Sequence, residues 1–530
     1  MQGKKTYQEK LFNHFQLSSR VPEANFYRRL KSVLHLDFLY SETRQYYGDS
    51  GQKSIDPVVF FKLCLVGYLE NLVSDRKLIE HASMRPDILY FLGYDIDEEL
   101  PWHSTISRTR QLFPEEVFES VFAHVFGMCV GQGMVKGSTQ AIDSAPVKAN
   151  ASMDSLELKV PERELEAHLA DIRHISKRDK GAYRRAKENK ASKDQRQITA
   201  SDKGLKEINS RHKNWSENQD QRPGAVNRGS RYTSNKTHYS PTDPDARTGV
   251  KPGKARKLNY SGQLSVDTAH HVISDVGSYH ADGKDSQYLR DIVDRLSQRL
   301  WQSGLQLENV LADTGFSSGE NYAYLERKGI KSYIPPHGTY KGGPDGFTYI
   351  KEQDHYICPR GEVIPFKKVF NDYRTGTKKK EYRISSKICR ECPLASSCLG
   401  KSAKEKKFSV TYYRDEYERN IARLKTGKGK RMKAKRQATV EPVLGTLTQF
   451  MGLRKINTIG IRQANKVMHL SAMAYNLKKY LKFMEKRVKS GAGAATSIQT
   501  VKNTLVDCMG LKINLFIFQQ LKPFGNKKGP

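Results

Sequence analysis

Two stretches decide how this chain folds: Gln140-Ala-Ile-Asp143-Ser-Ala-Pro-Val147 and Asn309-Val-Leu-Ala-Asp313-Thr-Gly-Phe316. Each is a short run of small and aliphatic residues that carries an aspartate. Short apolar runs bounded by turn signals read as buried strands. The sequence therefore predicts a strand over 138–147 that carries Asp143, and a short strand over 310–312 that ends in Asp313. A carboxylate among buried strand residues is costly unless something pairs with it. Either aspartate alone reads as a turn former. Together, at central strand ends, they favour a metal site.

Working outward, strands are expected at 260–267 and 270–276, joined by a tight turn. A helix over 286–302 has Leu289, Ile292, Val293, Leu296 and Leu300 on its apolar face. A helix over 320–327 leads to a strand over 332–334, stopped by Pro335 and Pro336. The order is strand, strand, strand, helix, strand, helix, strand. Three antiparallel strands followed by alternating units make an α/β fold whose mixed sheet has helices on both faces, which is the ribonuclease H-like order. Asp267 and His270 border the tight turn, where polar residues are expected on structural grounds.

Residues 1–135 read as an all-α, helix-turn-helix-like DNA-binding domain or as a plain bundle. Asp56 before Pro57 is a helix start, and Arg108 and Arg110 are expected on one exposed helical face, suited to DNA. The ribonuclease H-like core is assigned to 136–153 and 258–336, with a basic insertion at 154–257 that is helical over 162–178. Residues 337–430 read as loops with a cysteine-containing insertion and a basic stretch. A helical segment at 431–485 completes the core, and 486–530 read as a weakly organised tail.

Composition narrows the partners. With 90 Lys and Arg against 57 Asp and Glu, the net charge is +33. Such an excess attracts a polyanion, and because it runs the length of the chain, nucleic acid is favoured over a membrane surface. No segment approaches the roughly 20 apolar residues of a membrane span, and the N-terminal stretch lacks the apolar core of a signal peptide. A soluble, intracellular protein is expected.

Cys358, Cys389, Cys392 and Cys398 cluster. A C-x₂-C pair plus two further thiols can ligate Zn²⁺, with His355 as a substitute ligand, and the other reading is four reduced, unliganded thiols. Cys64, Cys129 and Cys508 read as ordinary buried thiols. Glu441 precedes Pro442, which fits a first helical turn, so this glutamate is expected at a helix start.

Several motifs now line up. They are Pro101-Trp-His-Ser-Thr-Ile-Ser-Arg108, Ala141-Ile-Asp143-Ser144, Ser240-Pro-Thr-Asp-Pro-Asp-Ala-Arg247, Gly262-Gln-Leu-Ser-Val-Asp267 and Leu311-Ala-Asp313-Thr-Gly-Phe316 with Glu320-Asn-Tyr322. The cysteine segment, Val440-Glu441-Pro-Val443 and Ala474-Tyr-Asn-Leu-Lys478 complete the series. In this order, from about residue 55 to 482, they resemble the DDE insertion-sequence transposases of the group numbered 1182. The resemblance implies a bacterial, cytoplasmic, nucleoid-associated enzyme. In it Asp143, Asp313 and Glu441 hold two Mg²⁺ ions, with Mn²⁺ as substitute, and Arg436 matches a basic position of the family signature. The partner implied is double-stranded DNA, both element ends and target, bound by a homodimer or larger synaptic assembly.

One departure stands out. The family often has lysine seven residues after the glutamate, where this chain has Thr448, so Arg454 or Lys455 would take that DNA contact. Asp243 and Asp245 read as turn formers that could set Arg247 against DNA. The expected activity is hydrolytic cleavage at terminal inverted repeats and transfer of the 3′-hydroxyl ends to target DNA. The rival readings are a non-catalytic, sequence-specific DNA-binding protein derived from a transposase, and a nuclease that cuts without joining. RNA binding ranks last, for want of an aromatic-rich RNA-binding motif.

Overall fold

The computed structural model describes residues 16–48, 54–161, 234–249 and 256–489, apart from 339, 374, 375 and 401, together with 199–200 and 205. The expected helix over 162–178 and nearly all of the tail lie outside these residues.

Among the described residues eight α-helices precede the main sheet: α1 (Leu17–Arg20), α2 (Phe26–Val33), α3 (Phe38–Thr43), α4 (Pro57–Leu69), α5 (Asp75–Ser83), α6 (Pro86–Leu92), α7 (His103–Leu112) and α8 (Glu115–Gly131). Helix α4 starts as its sequence dictates. Asp56 accepts from the backbone N–H groups of Val58 and Val59 at 2.7 and 3.1 Å, with Pro57 in the first turn. Apolar all round, α4 is a buried helix.

The main sheet contains β1 (Thr139–Lys148), β2 (Arg247–Gly249), β3 (Lys257–Asp267), β4 (Ile273–His280), β5 (Asn309–Leu311) and β6 (Lys331–Tyr333). Across it the order is β6-β5-β1-β3-β4, with β2 also on β3. β1 is antiparallel to β3 and β3 to β4, while β5 runs parallel to β1 and β6 to β5. Helix α9 (Asp285–Gln302) links β4 to β5, and α10 (Gly319–Arg327) links β5 to β6. The mixed sheet and its element order follow the expectation, except that β2 comes from the stretch 154–257 expected to be a basic insertion.

The stretch expected to be loops does not. It folds as a second sheet, antiparallel throughout, of β7 (Thr348–Ile350), β8 (His355–Ile357), β9 (Val363–Asp372), β10 (Thr377–Arg383) and β11 (Lys407–Thr411), in that order. Two short helices, α11 (Ser386–Arg390) and α12 (Ala395–Cys398), lie between β10 and β11. Only a small core of Tyr356, Ile364, Tyr382 and Ile384 backs it. The strands are Lys-rich and β9 is largely exposed, so the alternation that would announce them is diluted.

Three helices follow among the described residues: α13 (Arg414–Lys425), α14 (Gly427–Phe450) and α15 (Ile461–Lys489). Here the expected boundary is corrected. Glu441 does not open a helix but lies inside α14, with Pro442 in the helix interior. The helix begins at Thr426, whose hydroxyl accepts from the Gly429 N–H at 3.0 Å. An interior proline costs about 3 kcal/mol. Burial of Thr439, Val440, Val443 and Leu447 on the same helix offsets it.

One hydrophobic core runs from Tyr27 to Leu481, joining the N-terminal helices to both faces of the main sheet. Its pillar is α15, which packs on α4, α8 and β4. Val467, Leu470, Met473, Ala474 and Leu477 are all buried, as their spacing predicts. The segment Ser240–Arg247 grips the start of this helix. Asp243 accepts from the Tyr260 hydroxyl at 2.6 Å and from the Gly460 N–H at 3.2 Å, and Asp245 accepts from the Ile461 N–H at 2.9 Å.

Candidate active site

Asp143 sits on β1 opposite Leu264 of β3. Its Oδ1 accepts from the Ser144 N–H at 2.8 Å, and its Oδ2 accepts from the Arg436 guanidinium at 2.8 Å. Burial pushes the carboxyl above its usual range, opposed by the Ser144 N–H and the charge of Arg436, and the negative charge of Asp313 pushes it further up. Asp313 follows β5, the parallel neighbour of β1, and takes the Gly315 N–H at 2.8 Å. Arg436 also reaches Glu441, at 3.8 Å. Asp143 and Arg436 are 14% and 15% exposed, whereas Glu441 is 60% exposed. Asp143 and Glu441 thus share one guanidinium, while Asp313, just past β5, acts on Asp143 through its charge.

Among the described residues no three His, Cys, Asp or Glu side chains are gathered tightly enough to form a ready-made metal cage. That holds for Asp143, Asp313 and Glu441, whose carboxylates are not closed into a cage here, and for the cysteine segment. Cys358 and Cys389 pack on one small core, and Arg360 bonds the Glu391 carbonyl at 3.4 Å, tying their turns together. All four thiols are free and partly exposed. The expected four-thiolate zinc site is not assembled in this arrangement.

The basic residues divide. Arg108 is exposed on α7. Arg110 is not on an exposed face: it makes two bonds to Asp75, at 3.0 and 2.8 Å, locking α7 to α5. Arg247 is likewise turned inward, bonding the Pro244 and Ala246 carbonyls at 2.6 and 3.0 Å and lying 3.7 Å from Asp282. Their donors serve the fold, because a guanidinium buried with a carboxylate is fixed by it. Arg454 and Lys455 are exposed, and their backbone runs beside Lys148 at the end of β1. Thr448 turns its hydroxyl to the Leu444 carbonyl of its own helix, at 2.8 Å.

Asp267 is wholly structural, taking the Gly137 N–H, the Gln140 amide and the Ala269 N–H, each at 2.8 Å. His270 rests its ring on Phe483. Sequence reasoning missed one acid beside the site. Asp285, at the start of α9, accepts from the Ser144 hydroxyl at 3.0 Å and from the Gln263 amide at 2.6 Å. An aspartate in a first helical turn is commonplace, so nothing in the sequence singled it out.

From Ser144, Asp285 and Gly315 a groove of about 1430 Å³ opens between the main sheet and the second sheet. Lys148, Lys257, Lys284 and Arg454 line it, all exposed. None of these four makes an ion pair among the described residues, so the groove offers uncompensated positive charge beside the acids.

Residues 15–112 match the family model described as Transposase domain (DUF772), and residues 357–481 match that described as Transposase DDE domain. The second match takes in the four clustered cysteines, Arg436, Glu441 and most of α15, while Asp143 and Asp313 lie outside both. No curated protein matches the chain. Among the described residues no helix is long and apolar enough to cross a membrane. Two separate stretches of the chain, together less than half of it, are thus similar to transposase domains, the second of the DDE type.

Proposed function

We propose that the protein binds the inverted repeats at the ends of its mobile element, cuts the DNA there and joins the freed 3′-hydroxyl ends to target DNA. Asp143, Asp313 and Glu441 are its acids. The observation that carries this reading is that Asp143 and Glu441 share Arg436 while Asp313, just past the strand parallel to β1, bears electrostatically on Asp143. The order β6-β5-β1-β3-β4, with three antiparallel strands and two parallel ones, supports a ribonuclease H-like core.

DDE transposases generally use divalent metals such as Mg²⁺, and the donor set here fits. It is all carboxylate oxygen, which suits a hard cation, and Asp143 is held where burial and Asp313 both disfavour its charge. A bound pair of such ions neutralises charge on the attacking and leaving oxygens of a phosphodiester. The chain's own residues do the rest. The Ser144 N–H fixes one Asp143 oxygen, and Arg436 holds the other while balancing Glu441. Lys148, Lys257, Lys284 and Arg454 offer phosphate contacts leading to the acids. Arg454 or Lys455, exposed beside the end of β1, would take the DNA contact that Thr448 does not make, and Arg108 is exposed on the N-terminal helices. Joining two ends calls for a homodimer or larger assembly on the DNA, at the nucleoid.

The second reading, a DNA-binding protein without catalysis, draws on Thr448, whose hydroxyl is spent on its own helix. The deciding experiment incubates purified protein, Mg²⁺ and labelled element-end DNA, comparing wild type with Asp143→Asn and Glu441→Gln. Metal-dependent cleavage and joining, each reduced at least about 100-fold by either substitution, is expected. Specific binding without cleavage, under Mg²⁺ or Mn²⁺, would establish the second reading instead. Cleavage without joined products would leave a nuclease.

A further inference from the structure

The acids so far named do not exhaust the carboxylates at this place. Asp285 Oδ2 accepts from the hydroxyl of Ser144, whose own N–H holds Asp143. Its Oδ1 accepts from the amide of Gln263, which lies opposite Ser144 in the β1–β3 register. Asp285 therefore ties the start of α9 to both central strands at the level of Asp143. It also approaches Asp313. A Cβ on Gly315 would lie 3.0 Å from Asp285 Oδ2 and 3.0 Å from Asp313 Oδ1, so the two oxygens are within about 6 Å of each other. Glycine at 315 is what leaves room for both.

A second observation concerns Gln263. It is fully buried, and its Oε1 has no hydrogen-bond partner although its amide N–H₂ bonds Asp285 and Ser261. A buried polar oxygen left unpaired is costly, and a role at a catalytic site or a missing ion or water is among the explanations for such an exception. The groove adjoins these residues, with Asp285 and Ser144 on its wall.

We propose that Asp285 is a fourth acid of the centre: a positioning residue that holds Asp143 through Ser144 and whose charge strengthens cation binding between Asp143 and Asp313. This rests on the transposase reading above. A full negative charge at about 6 Å, acting on a divalent ion through a water-like dielectric, is worth about tenfold in affinity.

The test measures Mn²⁺ binding to the full chain without DNA, by electron paramagnetic resonance, for wild type, Asp285→Asn, Asp285→Glu and Ser144→Ala. Thermal melts run alongside. Asp285→Asn is expected to weaken Mn²⁺ binding about tenfold while keeping the wild-type melting temperature, Asp285→Glu to recover part of the loss, and Ser144→Ala to weaken binding less. A folded Asp285→Asn with wild-type Mn²⁺ affinity overturns the proposal and leaves Asp285 a helix-start residue. If Asp285→Asn fails to fold, Asp285→Glu decides: an Mn²⁺ affinity differing from wild type supports the role, and an unchanged one overturns it. Wild type that binds no Mn²⁺ would sink the transposase chemistry itself, a different failure from the first.

Discussion

Asp143 carries an electrostatic burden that the rest of its strand does not. Burial and the charge of Asp313 hold its carboxyl above the usual range in spite of the Ser144 N–H and Arg436. A folded-state value above the unfolded one means that the folded chain binds the proton more tightly. Stability then falls as pH rises through that window, and the penalty is fully in force above the folded-state value. Asp143→Asn is therefore expected to melt at or above the wild-type temperature at pH 7 in EDTA, by calorimetry, while abolishing cleavage. A melting temperature several degrees lower would mean that the ion pair with Arg436 outweighs the burial cost. At this scale the sequence was half legible. An aspartate in an apolar strand is visible because few side chains belong there less, so Asp143 and Asp313 stood out. Arg110, Arg247 and Asp285 did not, since a partner 35 or more residues away in the chain, as Asp75, Asp282 and Ser144 are, leaves no trace in local spacing.

Among the elements, β1 and α9 were found nearly at their observed bounds, whereas α15 and the end of α14 were read as one continuous helical segment. Two further failures have one physical origin. The strands of the second sheet and the first half of α14 are rich in lysine and arginine, whose long stems cover apolar surface while their charges stay in water. Composition then reads as loop where the backbone is regular. Pro442 compounded the error, because a helix stop is its usual meaning and here tertiary burial overrides it. The Ser240–Arg247 segment shows what such motifs do for their neighbours. Asp243 has no exposed surface and satisfies both the Tyr260 hydroxyl and the Gly460 N–H that precedes α15. Asp243→Ala leaves the buried Tyr260 hydroxyl and the half-buried Gly460 N–H unmatched, and is expected to lower stability by about 1–3 kcal/mol, read from urea unfolding with α15 followed by hydrogen exchange. No loss, or a loss confined to the turn, would count against the cap.

Across the whole molecule the N-terminal helices and the main sheet are joined by charge as well as by apolar contact. Asp275 of β4 is bonded by Arg295 and Arg299 of α9. Arg299 also bonds Glu119 of α8, and Glu119 in turn meets His469 of α15 at 2.6 Å. Burial raises the Glu119 carboxyl, yet the His469 bond and the charge of Arg299 outweigh it and bring the group down to about 2. A depressed carboxylate contributes stability above its unfolded value and loses it as pH falls through the folded one. Wild type is expected to weaken as pH drops from the ordinary glutamate range toward 2, and Glu119→Gln to flatten that slope in melts taken across the same interval. An identical slope in both would assign the acid sensitivity elsewhere. The sequence suggested separable modules, and nothing in composition could reveal that α4 and α8 lean on a helix more than 300 residues later. That dependence carries over to synthesis on the ribosome. The early helices leave the exit tunnel with their apolar faces bare, and wait for most of the chain to be translated before α15 arrives to cover them. A premature stop or frameshift anywhere upstream of residue 461 is thus expected to leave these helices uncovered, a nascent chain for proteases and chaperones.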